Sequence, residues 1–405
     1  MLQLLRTNRD IRILFYAQIV SYLGDWFAYV ALAGLVQDAT GSRLLVSLVF
    51  VAFSLPSFLF SPIGGPAADR FDRRRLLMVV SLVQAVAAAG LLVADSGHIW
   101  AVFVFQGCIS AGAAFVRPAV EAAIPNLTLS PLELGQANAL LGSSWGVMLA
   151  LGAAVGGVFS EAFGRNAAFL ANAASFVLAA TLFGLIRKPM QEHEVGRHLN
   201  RPAMRPLADM GEAMRFARRD HVVLALMASK ATFAVGAGVV SQLAVLASDV
   251  FKSGDTGRGL LIGARGIGAG LGPVLAARFT RGDLRRILLI CGTAGCAFSL
   301  LYLGAAWAPS LWISVALVAA AHLGGGAQWT LTTFGLQMRA PDEIRGRVLA
   351  GDFAIVTLVL SVTSFTAGLV SEAIGVRAAI TIFAGAAGVA GAVYLVLTRP
   401  LRRAT

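Results

Sequence analysis

The chain has 405 residues, 57% of them hydrophobic and only 13% charged, with a mean hydropathy of +0.76. Soluble domains carry about a quarter charged residues, so that class is excluded. The net charge of +12 does not indicate nucleic acid, because the basic residues fall between apolar runs and no aromatic-basic binding module is visible.

The first ten residues carry Arg6 and Arg9. The apolar run after them is too long and too interrupted for a cleavable signal and is read as a first membrane helix. Further runs fall near 44–63, 76–94, 99–115, 139–159 and 167–186. After a polar gap they resume near 222–247, 260–279, 287–307, 311–336, 348–370 and 378–397. Runs of about 20 residues cross a hydrocarbon core of roughly 30 Å. Backbone groups in lipid must be satisfied within the segment, so these runs predict about twelve transmembrane helices. The expected fold class is therefore all-α integral membrane, in two six-helix bundles with pseudo-two-fold symmetry. Residues 1–186 form the first bundle, 187–220 a linker and 221–405 the second bundle.

Orientation follows from Lys and Arg. Placing both termini inside puts most of the basic residues on the inner side, including Arg73, Arg74, Arg75 and Arg117. The outer side keeps only Arg43, Arg165, Lys252, Arg258 and Arg377. The expected setting is a cell (inner) membrane, crossed many times, with cytoplasmic termini. The linker 187–220 either forms an amphipathic helix near 206–219 on the inner surface or is a flexible tether near anionic lipid.

The halves repeat. Ser160-Glu161-Ala162-Phe163-Gly164 recurs as Ser371-Glu372-Ala373-Ile374-Gly375, an offset of 211 residues (Ser160 to Ser371). The same offset places Arg70 on Arg281, Asp72 on Asp283, Arg74 on Arg285, Arg75 on Arg286 and Gly135 on Gly346. One offset matching three separate loops indicates a parallel internal repeat, the arrangement of many secondary transporters.

The short loop after the second run carries Gly65, Asp69, Arg70, Arg73, Arg74 and Arg75. It resembles the signature of the major facilitator superfamily, a glycine, then Asp-Arg, then a basic cluster, with Asp72 in place of the usual second glycine. With Leu23-Gly24-Asp25-Trp26 and Arg345-Gly346-Arg347-Val348, the chain is similar to the drug:proton antiporter branch, which includes macrolide and siderophore exporters. The exporter glycine motif of the fifth span is matched by Gly152-Ala153-Ala154-Val155-Gly156-Gly157, with Ala153 where a proline is usual.

The resemblance implies proton-coupled export of an amphipathic organic compound by a monomer that contacts protons, substrate and the bilayer. Exporters of a siderophore or lipid-like metabolite, or a non-transporting receptor or scaffold, are the alternatives. No enzyme, cofactor, metal or nucleic-acid role is expected, since no catalytic or ligating constellation is visible. A run of glycines from Gly263 to Gly270 lacks the preceding strand that a nucleotide loop needs. Cys108, Cys291 and Cys296 all lie in apolar runs and imply no disulfide framework.

Charges inside the spans are the candidate site. Asp25 lies about 14 residues into the first helix, roughly 20 Å from its inner end. A carboxyl group there is costly in lipid and suits proton exchange, or else forms a helix–helix hydrogen bond. Lys230 is about 9 residues into the seventh helix and either pairs with a carboxylate, meets an anionic substrate group or snorkels. In this superfamily the first, fourth, seventh and tenth helices line the cavity. That favours Gln106, His322, Gln328 and Trp329 as further binding residues, with Phe27, Tyr29, Phe103, Phe105 and Phe233 as apolar wall. Gly65, Asp69, Arg70, Arg73, Arg74, Arg117, Glu121 and Asp352 are expected to form an inner conformational latch. The alternative is an exposed ion cluster worth under about 1 kcal/mol per pair.

Overall fold

A computed structural model describes residues 2–191, 206–280, 283–340 and 342–404. Among the described residues twelve helices are long and apolar enough to cross a membrane. The first six are α1 (Arg9–Thr40), α2 (Arg43–Arg70), α3 (Arg73–Gly90), α4 (Trp100–Leu127), α5 (Pro131–Phe163) and α6 (Arg165–Gly184). α7 runs His221–Gly236 and continues through Gly238–Ser241, Leu243–Val245 and a π turn at Leu246–Val250. α8 (Asp255–Thr280), α9 (Leu284–Ala306), α10 (Leu311–Arg339), α11 (Asp342–Ile374) and α12 (Val376–Leu397) complete the set. Among the described residues there is no strand.

The distribution of side chains suits a lipid solvent. Val86, Leu300 and Val396 are about two-thirds exposed or more, while Gln84, Ser110, Asn172, Gln242 and Ser364 are buried. Apolar groups face outward and polar groups face other helices, where Gln84 and Ser110 donate to the carbonyls of Ile109 and Phe53.

Packing divides the chain into two compact units. One comprises Met1–Ala39 and Ala52–Met204, the other Thr40–Val51 and Arg205–Thr405. The start of α2, which the repeat assigns to the first half, thus packs with the second unit.

The repeat has a local physical basis. Asp72 caps α3 by accepting the Arg75 amide at 2.8 Å. Its counterpart Asp283 caps α9 through the Arg285 amide at 2.9 Å. Such caps satisfy a helix-end N–H that has no intrahelical partner. Gly164 and Gly375 end α5 and α11 with φ of 84° and 95°. Each amide returns to the carbonyl of the repeated serine, Ser160 or Ser371, at 2.9 Å. That backbone region is open essentially to glycine alone, so the duplicated sequence encodes a duplicated helix stop.

Within the first unit α5 lies against α1, with Gly152 beside Trp26 and Gly156 beside the backbone of Phe27. In the second unit Gly268 and Gly272 sit against the carbonyls of Ala319 and Leu323, so α8 meets α10 at backbone distance. Gly268 and Gly272 are therefore a helix-packing surface, while Gly270 faces open space.

The linker begins under the first unit. The amides of Arg187 and Lys188 donate to Asp10 at 3.1 and 3.3 Å. Arg73 donates to the carbonyls of Ala122 and Met190, both at 2.9 Å. Arg74 donates to those of Arg187 and Lys188 at 3.2 and 3.1 Å. The expected short helix is present at Pro206–Arg219. Its Ala217 is fully buried and Phe216 packs against the core cluster that includes Val223, Leu226 and Val348, so this end is docked on protein.

Replacing Gly164 or Gly375 with alanine should cost about 1–3 kcal/mol each, read as a lowered melting temperature in detergent. Gly142→Ala, with open space at its Cα in mid-α5, should instead gain about 0.5–1 kcal/mol. Equal effects at all three sites would contradict the glycine-stop argument.

Candidate functional site

Ionisable groups inside the spans are arranged differently in the two units. In the first unit Asp25 stands on α1 between Gly24, which is pressed against Asn172 and Ser175 of α6, and Trp26. Trp26 is 2% exposed and stacks among Tyr29, Phe53 and Trp145, with ring centroids 5.5, 5.1 and 6.0 Å away. The aromatic cluster and the glycine contact hold this turn of α1 in register. One carboxylate oxygen of Asp25 is buried and has no hydrogen-bond partner among the described residues. Tyr22, one turn away, lies within electrostatic reach of Asp25, Arg117 and Glu121.

In the second unit Lys230 donates to Asp352 at 2.5 Å and to the Thr333 hydroxyl at 2.8 Å. Its ammonium also stands 4.9 Å from the centre of the Trp329 ring. Lys230 is 4% exposed and Asp352 2%. Of the three pairings open to Lys230, the structure brings it to a carboxylate, and Asp352 lies on Lys230. The second oxygen of Asp352 is buried without a partner among the described residues.

Next to this pair, Gln328 donates to the Ser229 carbonyl and hydroxyl at 2.7 and 3.0 Å. Cys291 touches Thr332 at 3.6 Å. α7, α9, α10 and α11 thus each contribute to one polar seam.

The other expected residues fall as follows. His322 is bonded to the Tyr302 hydroxyl at 2.8 Å and ringed by Phe233 and Phe298, a packed environment. Gln106 is buried at 3% exposure. Arg117 and Glu121 pair at 3.0 Å with both side chains about two-thirds exposed. Arg73 and Arg74 hold backbone carbonyls, as described above. Gly65 and the side chains of Asp69 and Arg70 lie outside the described residues.

One cluster was not anticipated from sequence. Arg43, at the start of α2, pairs with Asp249 of α7 at 2.7 Å and donates to the Ser371 carbonyl at 3.0 Å. Glu372 of α11 accepts the amides of Arg43 and Leu44 at 2.7 and 3.2 Å, which also satisfies the free N-terminus of α2. Gln242 donates to Ser47 at 2.7 Å. The sequence carried one signal, since Glu372 sits in the duplicated motif; Asp249 carried none.

Comparison with known proteins agrees with this architecture. The family model of transmembrane secretion effectors, MFS_3, matches residues 5–404. The putative bacilysin exporter BacE of Bacillus subtilis is 22% identical over 362 residues, which is 88% of each chain. The class C tetracycline resistance protein of Escherichia coli is 26% identical over 411 residues, covering 98% of each. Among solved structures, a bacterial homolog of the human lysosomal transporter Spinster, in an inward-facing occupied conformation, superposes with a TM-score of 0.75 at 16% identity over 96% of both chains. A twelve-helix fold, an internal repeat, charged groups buried inside the spans and a family match over almost the whole length converge, and this chain belongs to the major facilitator superfamily of transporters, within its transmembrane secretion effector family.

Proposed function

We propose that this protein exports an amphipathic organic compound in exchange for protons, with Asp25 carrying the proton. The observation that carries the reading is the buried oxygen of Asp25, without a partner among the described residues, as the one charged side chain between Arg12 and Asp38 of α1. A carboxylate without a cation in a low-dielectric site is far costlier than its neutral acid. The group therefore has two states of very different polarity, and a proton converts one into the other. Substrate occupancy competes with protonation by shifting the population of the two states.

Outward movement is supported by the names of the relatives, one a putative exporter and one a resistance protein. Both termini are assigned to the inner side by the positive-inside rule. Arg43, Asp249 and Glu372 then lie on the outer side and fasten the first turn of α2 to α7 and α11. Asp69, which has no counterpart in the repeat, is assigned to an inner latch with Arg117 and Glu121, whereas Asp352 is engaged by Lys230.

Asp25→Asn in proteoliposomes should abolish pH-driven efflux while leaving substrate binding measurable. Full pH-driven efflux by this variant would exclude Asp25 as the coupling group. A second measurement addresses the outer fastening. Ser47 is fully buried, so Ser47→Cys, in a background lacking Cys108, Cys291 and Cys296, should react slowly with an impermeant maleimide. Adding Arg43→Ala should raise that rate about fivefold, as expected for loss of a half-exposed ion pair. An unchanged rate would show that Arg43 does not hold this end of α2.

A further inference from the structure

We infer that the Lys230–Asp352 pair is a binding site for zwitterionic compounds, those that present an ammonium and a carboxylate on an apolar body. The inference rests on the transporter reading above and names the class of compound taken by the second unit.

The argument begins with the hydrogen-bonding capacity of each group. An ammonium has three donors. Those of Lys230 are directed to Asp352, to Thr333 and to the face of Trp329, so Lys230 needs nothing more. Asp352 is not complete. One oxygen holds Lys230, while the other is buried and has no partner among the described residues. The side-chain oxygen of Gln328 on α10 is in the same condition. The unmet atoms are both acceptors, so the ligand must bring a donor.

Charge then selects among donors. The empty site is a closed pair with no net charge. A simple cation on Asp352 adds an uncompensated positive charge to a buried site. A simple anion on Lys230 displaces Asp352 and leaves its carboxylate unpaired. Both outcomes are strongly unfavourable where water is excluded. A zwitterion avoids them. Its ammonium takes the open side of Asp352 while its carboxylate displaces the Thr333 hydroxyl from Lys230, so each buried charge keeps an opposite neighbour.

The surroundings define the rest of the molecule. Trp329 and Thr333 are half-buried at the rim of the pair. Phe353, adjacent to Asp352, is 37% exposed and meets Trp329 edge-on at 6.5 Å. This indole–phenyl wall suits an aromatic or branched apolar group.

The test is direct binding to the purified full chain in detergent near neutral pH, followed by isothermal titration with three matched probes. These are leucyl-phenylalanine, its C-terminal amide and its N-acetyl form, which present a zwitterion, a cation and an anion on one body. The zwitterion should bind at least about tenfold more tightly than either other form. The preference should vanish in the double variant Lys230→Met/Asp352→Leu, which removes both charges together and so leaves none unpaired. Equal affinities, no binding of the zwitterion, or a preference that survives in the double variant would each overturn the inference. Gradient-driven flux of amphipathic compounds, measured alongside, separates the two levels. Flux without a zwitterion preference overturns this site alone, whereas zwitterion preference without any flux sustains the site and overturns the export reading.

Discussion

A charge held inside hydrocarbon must have a partner or be able to lose itself to a proton, and this constraint organises the buried chemistry of the protein. The second unit meets it with partners. Lys230 holds Asp352, and Arg258 holds Asp255 while also donating to Ser248 at 2.9 Å. His322 and Tyr302 complete each other in an aromatic setting. The first unit contains the exception, because among the described residues Asp25 has no ion pair and one of its buried oxygens has no hydrogen-bond partner. The two repeats share one pattern yet handle buried charge differently, one by pairing Lys230 with Asp352 and one by burying the Asp25 carboxyl group without an ion pair among the described residues.

Such chemistry requires helices close enough to exclude lipid from the polar seams. Small residues provide that closeness. Gly24, Gly152 and Gly156 bring α1 against α5 and α6, which fixes the turn carrying Asp25. Gly268 and Gly272 do the same for α8 and α10, the helix that presents Gln328, Trp329 and Thr333. Gly325 lies against the Phe233 ring, joining α10 to the α7 face that carries Lys230. Dispersion and interhelical hydrogen bonds, rather than a hydrophobic drive, hold these contacts in lipid.

Much of the fold was legible from sequence because it depends on local signals. Hydropathy marked all twelve spans, and the duplicated motif marked the Asp72 and Asp283 caps and the Gly164 and Gly375 stops. These features act within one turn of chain, where residue type and spacing suffice. The candidate site was legible as single residues but not as a constellation. Asp25 and Lys230 stood out as charges in apolar runs. The partner of Lys230 lay 122 residues away at the edge of a loop-like basic stretch, where Asp352 looked like one more latch acid. Tyr22 carries no sequence signal beyond its i, i+3 spacing to Asp25. Arg73 and Arg74 looked like latch cations, yet both are engaged by backbone carbonyls, which carry no sequence signature. Long-range pairs and carbonyl acceptors depend on which helices touch, and that information lies outside any local window.

The central claim is that Asp25 exchanges its proton against substrate. Proton release on substrate binding tests it most directly, measured with a pH-sensitive dye on purified protein in weakly buffered detergent. The wild-type chain should release protons when an exported compound is added, and Asp25→Asn should bind the same compound with no release. Equal release by both proteins, or binding to the wild type without release, would contradict the coupling role of Asp25.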